Sequence, residues 1–256
     1  MQMDVLELGL IEYERAWKLQ DEYAAEIADG RRAPTLLLLE HPHTYTFGRK
    51  GHAENLLWSG EELKEREVAV HWVDRGGDVT YHGPGQLVGY PLIQLEILNP
   101  SMPPESAKVE DAIEKPARVP LVDYVGYVRK LEETLIEVLR RFNVSAYQRS
   151  GLTGVWIPAE VWKDSPRCRP GDHDKPAKIA AIGVKVDARG VTRHGFALNV
   201  NPRMEYWQGI IACGLADEPV AALADLVTPV PGMEQVMQAT RQVFLEKFGG
   251  DGTNPV

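Results

Sequence analysis

The side chains best suited to chemistry in this chain are a thiol, an amine and a run of polar groups set among glycines. Cys213 lies in Ile210-Ile211-Ala212-Cys213-Gly214-Leu215, an apolar segment that ends in Cys-Gly. Such a segment can present a thiol at a loop tip or pocket edge. The Asp217-Glu218-Pro219 run after it predicts a helix start, whose positive end would favour a thiolate. A small buried hydrophobe is the commoner fate of a lone cysteine, so position alone leaves both readings open. Lys178 precedes the apolar stretch Ile179-Ala180-Ala181-Ile182-Gly183-Val184. A lysine there can reach a pocket and, partly desolvated, act as a base. A solvent-facing lysine at a strand end is the competing reading, of which Lys175 and Lys185 are examples. Cys168, in Arg167-Cys168-Arg169-Pro170, is the rival thiol. Its basic neighbours are expected to lower its pKa, but a loop holds a nucleophile poorly.

Residues 75–91 read Arg75-Gly76-Gly77-Asp78-Val79-Thr80-Tyr81-His82-Gly83-Pro84-Gly85-Gln86-Leu87-Val88-Gly89-Tyr90-Pro91 and hold five glycines. A hairpin turn needs one or two, and glycine weakens a strand. Glycine does let backbone approach a ligand and expose its N–H groups. Arg75, Gly76, Gly77, Asp78, Val79, Thr80, Tyr81 and His82 are therefore candidate binding residues. His82 is either a second general base or a structural hydrogen-bond partner.

This segment resembles the signature of the octanoyltransferases of lipoate biosynthesis. Two further stretches resemble the same family: Lys178-Ile179-Ala180-Ala181-Ile182-Gly183-Val184-Lys185 with His194-Gly195-Phe196-Ala197-Leu198-Asn199-Val200, and Ala212-Cys213-Gly214-Leu215. The resemblance implies the α/β fold of biotin and lipoate protein ligases, a mixed sheet with packed helices. It assigns the nucleophile to Cys213 and the base to Lys178. It adds Ala181, Ile182, Gly183, Gly195, Phe196 and Ala197 to the substrate pocket. The implied reaction moves an octanoyl (or lipoyl) group from acyl carrier protein to a lysine ε-amine of a lipoyl domain, through a cysteine thioester. The implied acceptors are the E2 subunits of 2-oxoacid dehydrogenases and the glycine cleavage H protein. Thioester chemistry of this kind needs no ATP, cofactor or metal. Backbone N–H groups near Gly76, Gly77 and Gly83 would polarise the acyl carbonyl. Three rivals stand beside this reading: an ATP-dependent lipoate or biotin protein ligase on the same fold, a thiol hydrolase using His82, and a noncatalytic binding module.

The elements that must position these groups follow from periodicity. Residues 13–29 predict an amphipathic helix, with Tyr13, Trp17, Tyr23 and Ile27 on one face and Gly30 as its stop. Residues 35–39, 68–73, 86–95 and 154–157 predict strands, with Pro91 marking an edge or a bulge. Residues 40–49 read as a polar loop. Residues 178–186 and 193–200 predict a hairpin turning at Ala188-Arg189-Gly190. Residues 121–142 and 233–248 predict helices, the latter ended by Gly249-Gly250. Residues 99–120 and 160–176 read as loop insertions in one domain spanning 1–256.

Composition is that of an ordinary globular chain: 256 residues, 44% apolar and 25% charged. No apolar run is long enough for a membrane span, and the first residues lack a secretory pattern, so the cytoplasm is the expected compartment. A monomer is the expected state. The formal net charge of −9 argues against nonspecific nucleic-acid binding. Docking of an acidic carrier protein would need a local basic patch. Arg129, Lys130, Arg140, Arg141, Lys163, Arg167 and Arg169 are its candidates. The two cysteines and the spacing of His41, His43, His71 and His82 suggest no metal site.

Overall fold

In the computed structural model, residues 3–95, 123–212 and 218–249 are described. The expected insertion at 99–120 and Cys213 itself lie outside them. The strands are β1 (Asp4–Leu10), β2 (Thr35–Glu40), β3 (Thr44–Phe47), β4 (Ala69–Trp72), β5 (Val79–His82), β6 (Gln86–Leu92), β7 (Tyr147–Arg149), β8 (Leu152–Ile157), β9 (Ala177–Val186) and β10 (Thr192–Asn199). The helices are α1 (Tyr13–Ala28), α2 (Gly60–Glu65), α3 (Tyr124–Arg140), α4 (Ala159–Trp162) and α5 (Met233–Phe248).

The strands form a seven-stranded mixed sheet in the order β1-β2-β6-β10-β9-β8-β7 and a three-stranded sheet in the order β4-β3-β5. One face of the large sheet packs on α3 and α5, through Leu131, Leu135, Val138, Val243 and Phe244. The other face packs on α1, whose Ala16, Ala24 and Ile27 meet Leu37, Leu39, Val88 and Ala197. Tyr13, Ala16, Gln20, Ala24 and Ile27 are the buried side of α1, while Trp17 and Tyr23 flank it half-exposed. The small sheet has its own core of Tyr45, Phe47, Val79, Tyr81, Tyr206 and Ile210.

Several expectations need correction. Residues 44–47 are a buried strand, β3, instead of polar loop. Their Thr-Tyr-Thr-Phe alternation is short, and the adjoining histidines and proline masked it. Pro91 sits in a central strand, not at an edge. Its missing donor faces β10 beyond the end of the regular β6–β10 ladder, next to His194, which adopts φ 57°. There Pro91 O accepts from Thr192 Oγ1 at 2.7 Å. The 160–176 excursion begins as a helical turn, α4, anchored by the buried Trp162. No helix begins at Glu218-Pro219. Residues 218–221 run extended beside β9, with Lys178 N–H donating to Pro219 O at 2.8 Å and Ala221 N–H to Lys178 O at 3.0 Å. Backbone pairing with β9 overrides the acidic-proline helix signal, and the expected helix-dipole help for a thiolate falls with it. Among the described residues no helix is long and apolar enough to cross a membrane.

Candidate active site

The glycine-rich segment folds as a tight loop leading into the β5–β6 hairpin. Gly48 to Lys50 cross this loop closely: Gly48 N–H donates to Asp78 O, Arg49 N–H to Arg75 O and Lys50 N–H to Gly77 O, all within 3.2 Å. A Cβ on Gly48 would lie 2.4 Å from Gly77 O, so the crossing requires glycine. Arg75 is buried and donates to Thr46 Oγ1 and O and to Gly76 O. Asp78 accepts from Val79 N–H, His52 N–H and Asn55 Nδ2. These two charged side chains build the loop as well as facing the cavity it encloses.

That cavity is an inner chamber between the small sheet and the large one. It is lined by Arg75, Gly77, Asp78, Thr80, His82, Ala181, Ile182, Gly183, Gly195, Phe196 and Ala197, and by Tyr13, Tyr90 and His194 at its sides. The β9–β10 register pairs Ala181 with Ala197, Ile182 with Phe196 and Gly183 with Gly195, so the two sequence triplets meet across one ladder. Phe196 stacks on Phe244 at 5.5 Å in the helix layer. The remaining small residues keep the sheet surface low at the chamber. Alternation along β5 turns Thr80 and His82 to the chamber and Val79 and Tyr81 into the small-sheet core. Tyr81 shares a 2.8 Å hydrogen bond with His43 Nδ1. Gly76 lines an open cleft beside Tyr124, Arg129 and Glu132, which shares Gly77, Ile182 and Gly183 with the chamber. Its N–H is engaged by Val184 O at 3.0 Å, so it is not a donor for an acyl carbonyl.

The chamber continues into a narrow throat lined by Thr80, Gln86, Lys178, Ala181, Ala197, Asn199, Trp207, Ala212, Glu218 and Val220. Ala212 and Glu218 are the described residues on either side of the segment that carries Cys213. Lys178 Nζ stands 4.8 Å from the centroid of the buried Trp156 ring. Thr80 Oγ1 is buried with no hydrogen-bond partner among the described residues.

A hydrogen-bond relay ties these parts together. His82 Nδ1 and Gln86 Oε1 are 2.8 Å apart, Gln86 Nε2 donates to Asn199 Oδ1 at 2.9 Å, and Asn199 Nδ2 donates to Ala221 O at 3.0 Å. Since Gln86 Oε1 can only accept, His82 carries its proton on Nδ1. Burial drives the His82 pKa well below the usual histidine range, with His41 adding to the effect. Gln86 thus holds a buried, neutral imidazole in the chamber wall.

Around the chamber's far side, burial also lowers His41, to about 4, and lowers His194. His194 Nε2 lies 2.8 Å from Asp74 Oδ1, and this bond, with help from Lys185, holds the Asp74 carboxyl well below its usual range. Tyr13, Tyr90, His194 and Asn199 join the expected site residues as lining, and Asp74 joins them through His194. His194 and Asn199 lie within a family-like stretch, and a polar residue inside an apolar strand is the further signal each offered. Cys168 is half-buried, and its thiol is pushed up by burial, then by Asp172 and Asp164. Burial and these two aspartates outweigh the neighbouring arginines, contrary to expectation. Of the basic candidates, Arg140, Arg141 and Arg167 pair with Glu137, Glu246 and Asp225.

The chain is similar to known proteins over most of its length. Residues 12–245 match the lipoyl protein ligase A/B catalytic domain family. An octanoyltransferase of Chloroflexus aurantiacus is 39% identical over 231 residues, covering 90% of this chain and 87% of the relative. One from Acidobacterium capsulatum is 39% identical over 251 residues, covering 97% and 91%. Among solved structures, a bi-partite lipoate protein ligase of Thermoplasma acidophilum superposes with a TM-score of 0.63 at 17% identity, over 99% of this chain and 86% of that one. Lipoate-protein ligase A bound with ATP gives 0.61 at 16% identity, over 97% and 86%. At such identities the structural likeness speaks for the fold.

Proposed function

The chain belongs to the lipoyl protein ligase A/B catalytic domain family and, within it, to the octanoyltransferases, which are acyltransferases; from that premise we propose a two-step transfer in which Cys213 carries the acyl group and Lys178 carries the proton. The donor is an octanoyl thioester on acyl carrier protein, and the acceptor is the ε-amine of a lysine on a lipoyl domain. In the first step the Cys213 thiolate attacks the acyl carbonyl. The new C–S bond forms, the donor's C–S bond breaks, and the departing thiolate takes a proton from the Lys178 ammonium. In the second step the neutral acceptor amine attacks the acyl-enzyme. The C–N bond forms, the C–S bond to Cys213 breaks, and Lys178 takes the amine proton, which restores the starting charges. The first exchange swaps one thioester for another and is nearly isoenergetic. Amide formation then runs downhill, so no nucleotide is needed.

One observation carries this reading. Lys178 and Ala212, the residue before Cys213, line the same throat, and that throat shares Thr80, Ala181 and Ala197 with the inner chamber. An acyl chain in the chamber would bring its carbonyl to the throat. The binding roles proposed for Arg75, Gly77, Asp78, Thr80, His82, Ala181, Ile182, Gly183, Gly195, Phe196 and Ala197 rest on their lining of that chamber. Val79 and Tyr81 would act through backbone only. The ligase alternative predicts activity from free octanoate and ATP in a Cys213→Ser variant. The transferase reading expects that variant to be inactive with octanoyl-acyl carrier protein and with free acid plus ATP alike.

A further inference from the structure

Lys178 is aimed by its surroundings, and one buried carboxylate organises them. Between the pairs Val155–Ala180 and Trp156–Lys178 the β8–β9 ladder shifts register, so β9 contains one residue more than β8 and Ile179 is bulged. A bulge re-aims the side chains beside it. On the facing strand Gly154 adopts φ 125°, a conformation for glycine alone. A Cβ there would lie 2.7 Å from Ala180 O, 3.4 Å from Lys178 Cε and 3.6 Å from Lys178 Cδ. The lysine stem therefore lies along a slot that the missing side chain of Gly154 leaves open. The buried Trp156 ring faces the ammonium from the same strand, 4.8 Å away.

At this distortion Gly154 N–H donates to Glu132 Oε1 of α3, at 2.9 Å. Glu132 is only 4% exposed, an uncommon place for a carboxylate on a helix that otherwise buries tyrosine, leucine, threonine and valine. Burial raises its pKa, against the Gly154 hydrogen bond and the charges of Arg129 and Lys178. A carboxylate that costs desolvation at this point is hard to explain by packing alone. We propose that Glu132 is a positioning residue for Lys178: by holding the Gly154 N–H it fixes the distorted turn of β8 whose slot directs the lysine stem to the throat. The inference rests on the assignment of Lys178 as the proton carrier.

The test is steady-state octanoyl transfer from octanoyl-acyl carrier protein to a lipoyl domain, with kcat and KM resolved. Glu132→Leu is expected to lower kcat at least ~tenfold with the donor KM within about twofold, because misplacing a reacting group penalises the chemical step. Glu132→Gln, which keeps an acceptor oxygen for Gly154, is expected to recover most of that loss. Gly154→Ala, which leaves Glu132 in place but fills the slot, is expected to reproduce the kcat defect; should Glu132→Leu not fold, Glu132→Ala is read in its place. Wild-type kcat in Glu132→Leu or in Gly154→Ala would overturn the inference. So would a Gln variant as impaired as the Leu variant. Lys178→Ala, run alongside, separates the two readings. If it keeps wild-type kcat, the role of Lys178 fails and this inference with it. If it is inactive while Glu132→Leu matches wild type, only the role of Glu132 fails.

Discussion

Lys178 owes its direction to groups far from it in sequence: Gly154 and Trp156 on one strand, Glu132 on a helix, and the 218–221 segment on its other side. Replacing it by methionine keeps the stem and removes the proposed proton carrier. The expected result is a fall in kcat of about 10²–10⁴-fold with little change in the melting temperature, read by transfer kinetics and a thermal melt. The buried imidazoles give a second residue-scale expectation. His41 is fully buried and titrates at about 4, below its unfolded value. Above the unfolded pKa neither state binds the proton and the folded protein keeps its full stability. As pH falls from about 6.5 toward 4 the unfolded state gains a proton that the native one refuses, which costs roughly 3 kcal/mol for this group alone. His82 and His194 act in the same direction. Urea midpoints at pH 7.5 and pH 5 should therefore differ, and His41→Gln should flatten the slope. The glycine-rich segment and the two strand triplets were legible in sequence because ligand proximity leaves a dense local signature. Glu132, Asn199 and His194 were not, since their partners lie tens of residues away and only the fold brings them together.

Periodicity revealed the long helices and the β9–β10 hairpin, where a run of residues repeats one environment. It failed at β3, four residues long, and at 218–221, where pairing with β9 overrides a local helix signal. Pro91 shows the same limit. Its place in a central strand is tolerated because the adjoining strand departs from the ladder at His194. The β6–β10 contact at the chamber is correspondingly tight. A Cβ on Gly195 would lie 2.1 Å from Gly89 O, a backbone atom that cannot turn aside. Gly195→Ala is expected to destabilise the protein by about 2 kcal/mol or more through forced separation of these strands. A denaturant titration showing an unchanged midpoint would refute this close approach.

At the scale of the molecule, the chamber and throat lie where the three-stranded sheet meets β9 and β10 of the seven-stranded one. The β5–β6 hairpin passes between them, and the relay from His82 through Gln86 and Asn199 to Ala221 spans the seam. Breaking the relay at its centre with Asn199→Leu leaves Gln86 Nε2 and Ala221 O without this partner. The expected outcome is lower kcat accompanied by a stability loss of about 1–3 kcal/mol. The measurement that bears most directly on the proposed transfer is intact-protein mass spectrometry after mixing with octanoyl-acyl carrier protein in the absence of ATP. Wild type is expected to gain one hydroxylamine-sensitive octanoyl group, to lose it to an added lipoyl domain, and to gain none as Cys213→Ser. No adduct and no transfer in the wild type, or an equal adduct on Cys213→Ser, would contradict the cysteine-borne acyl transfer.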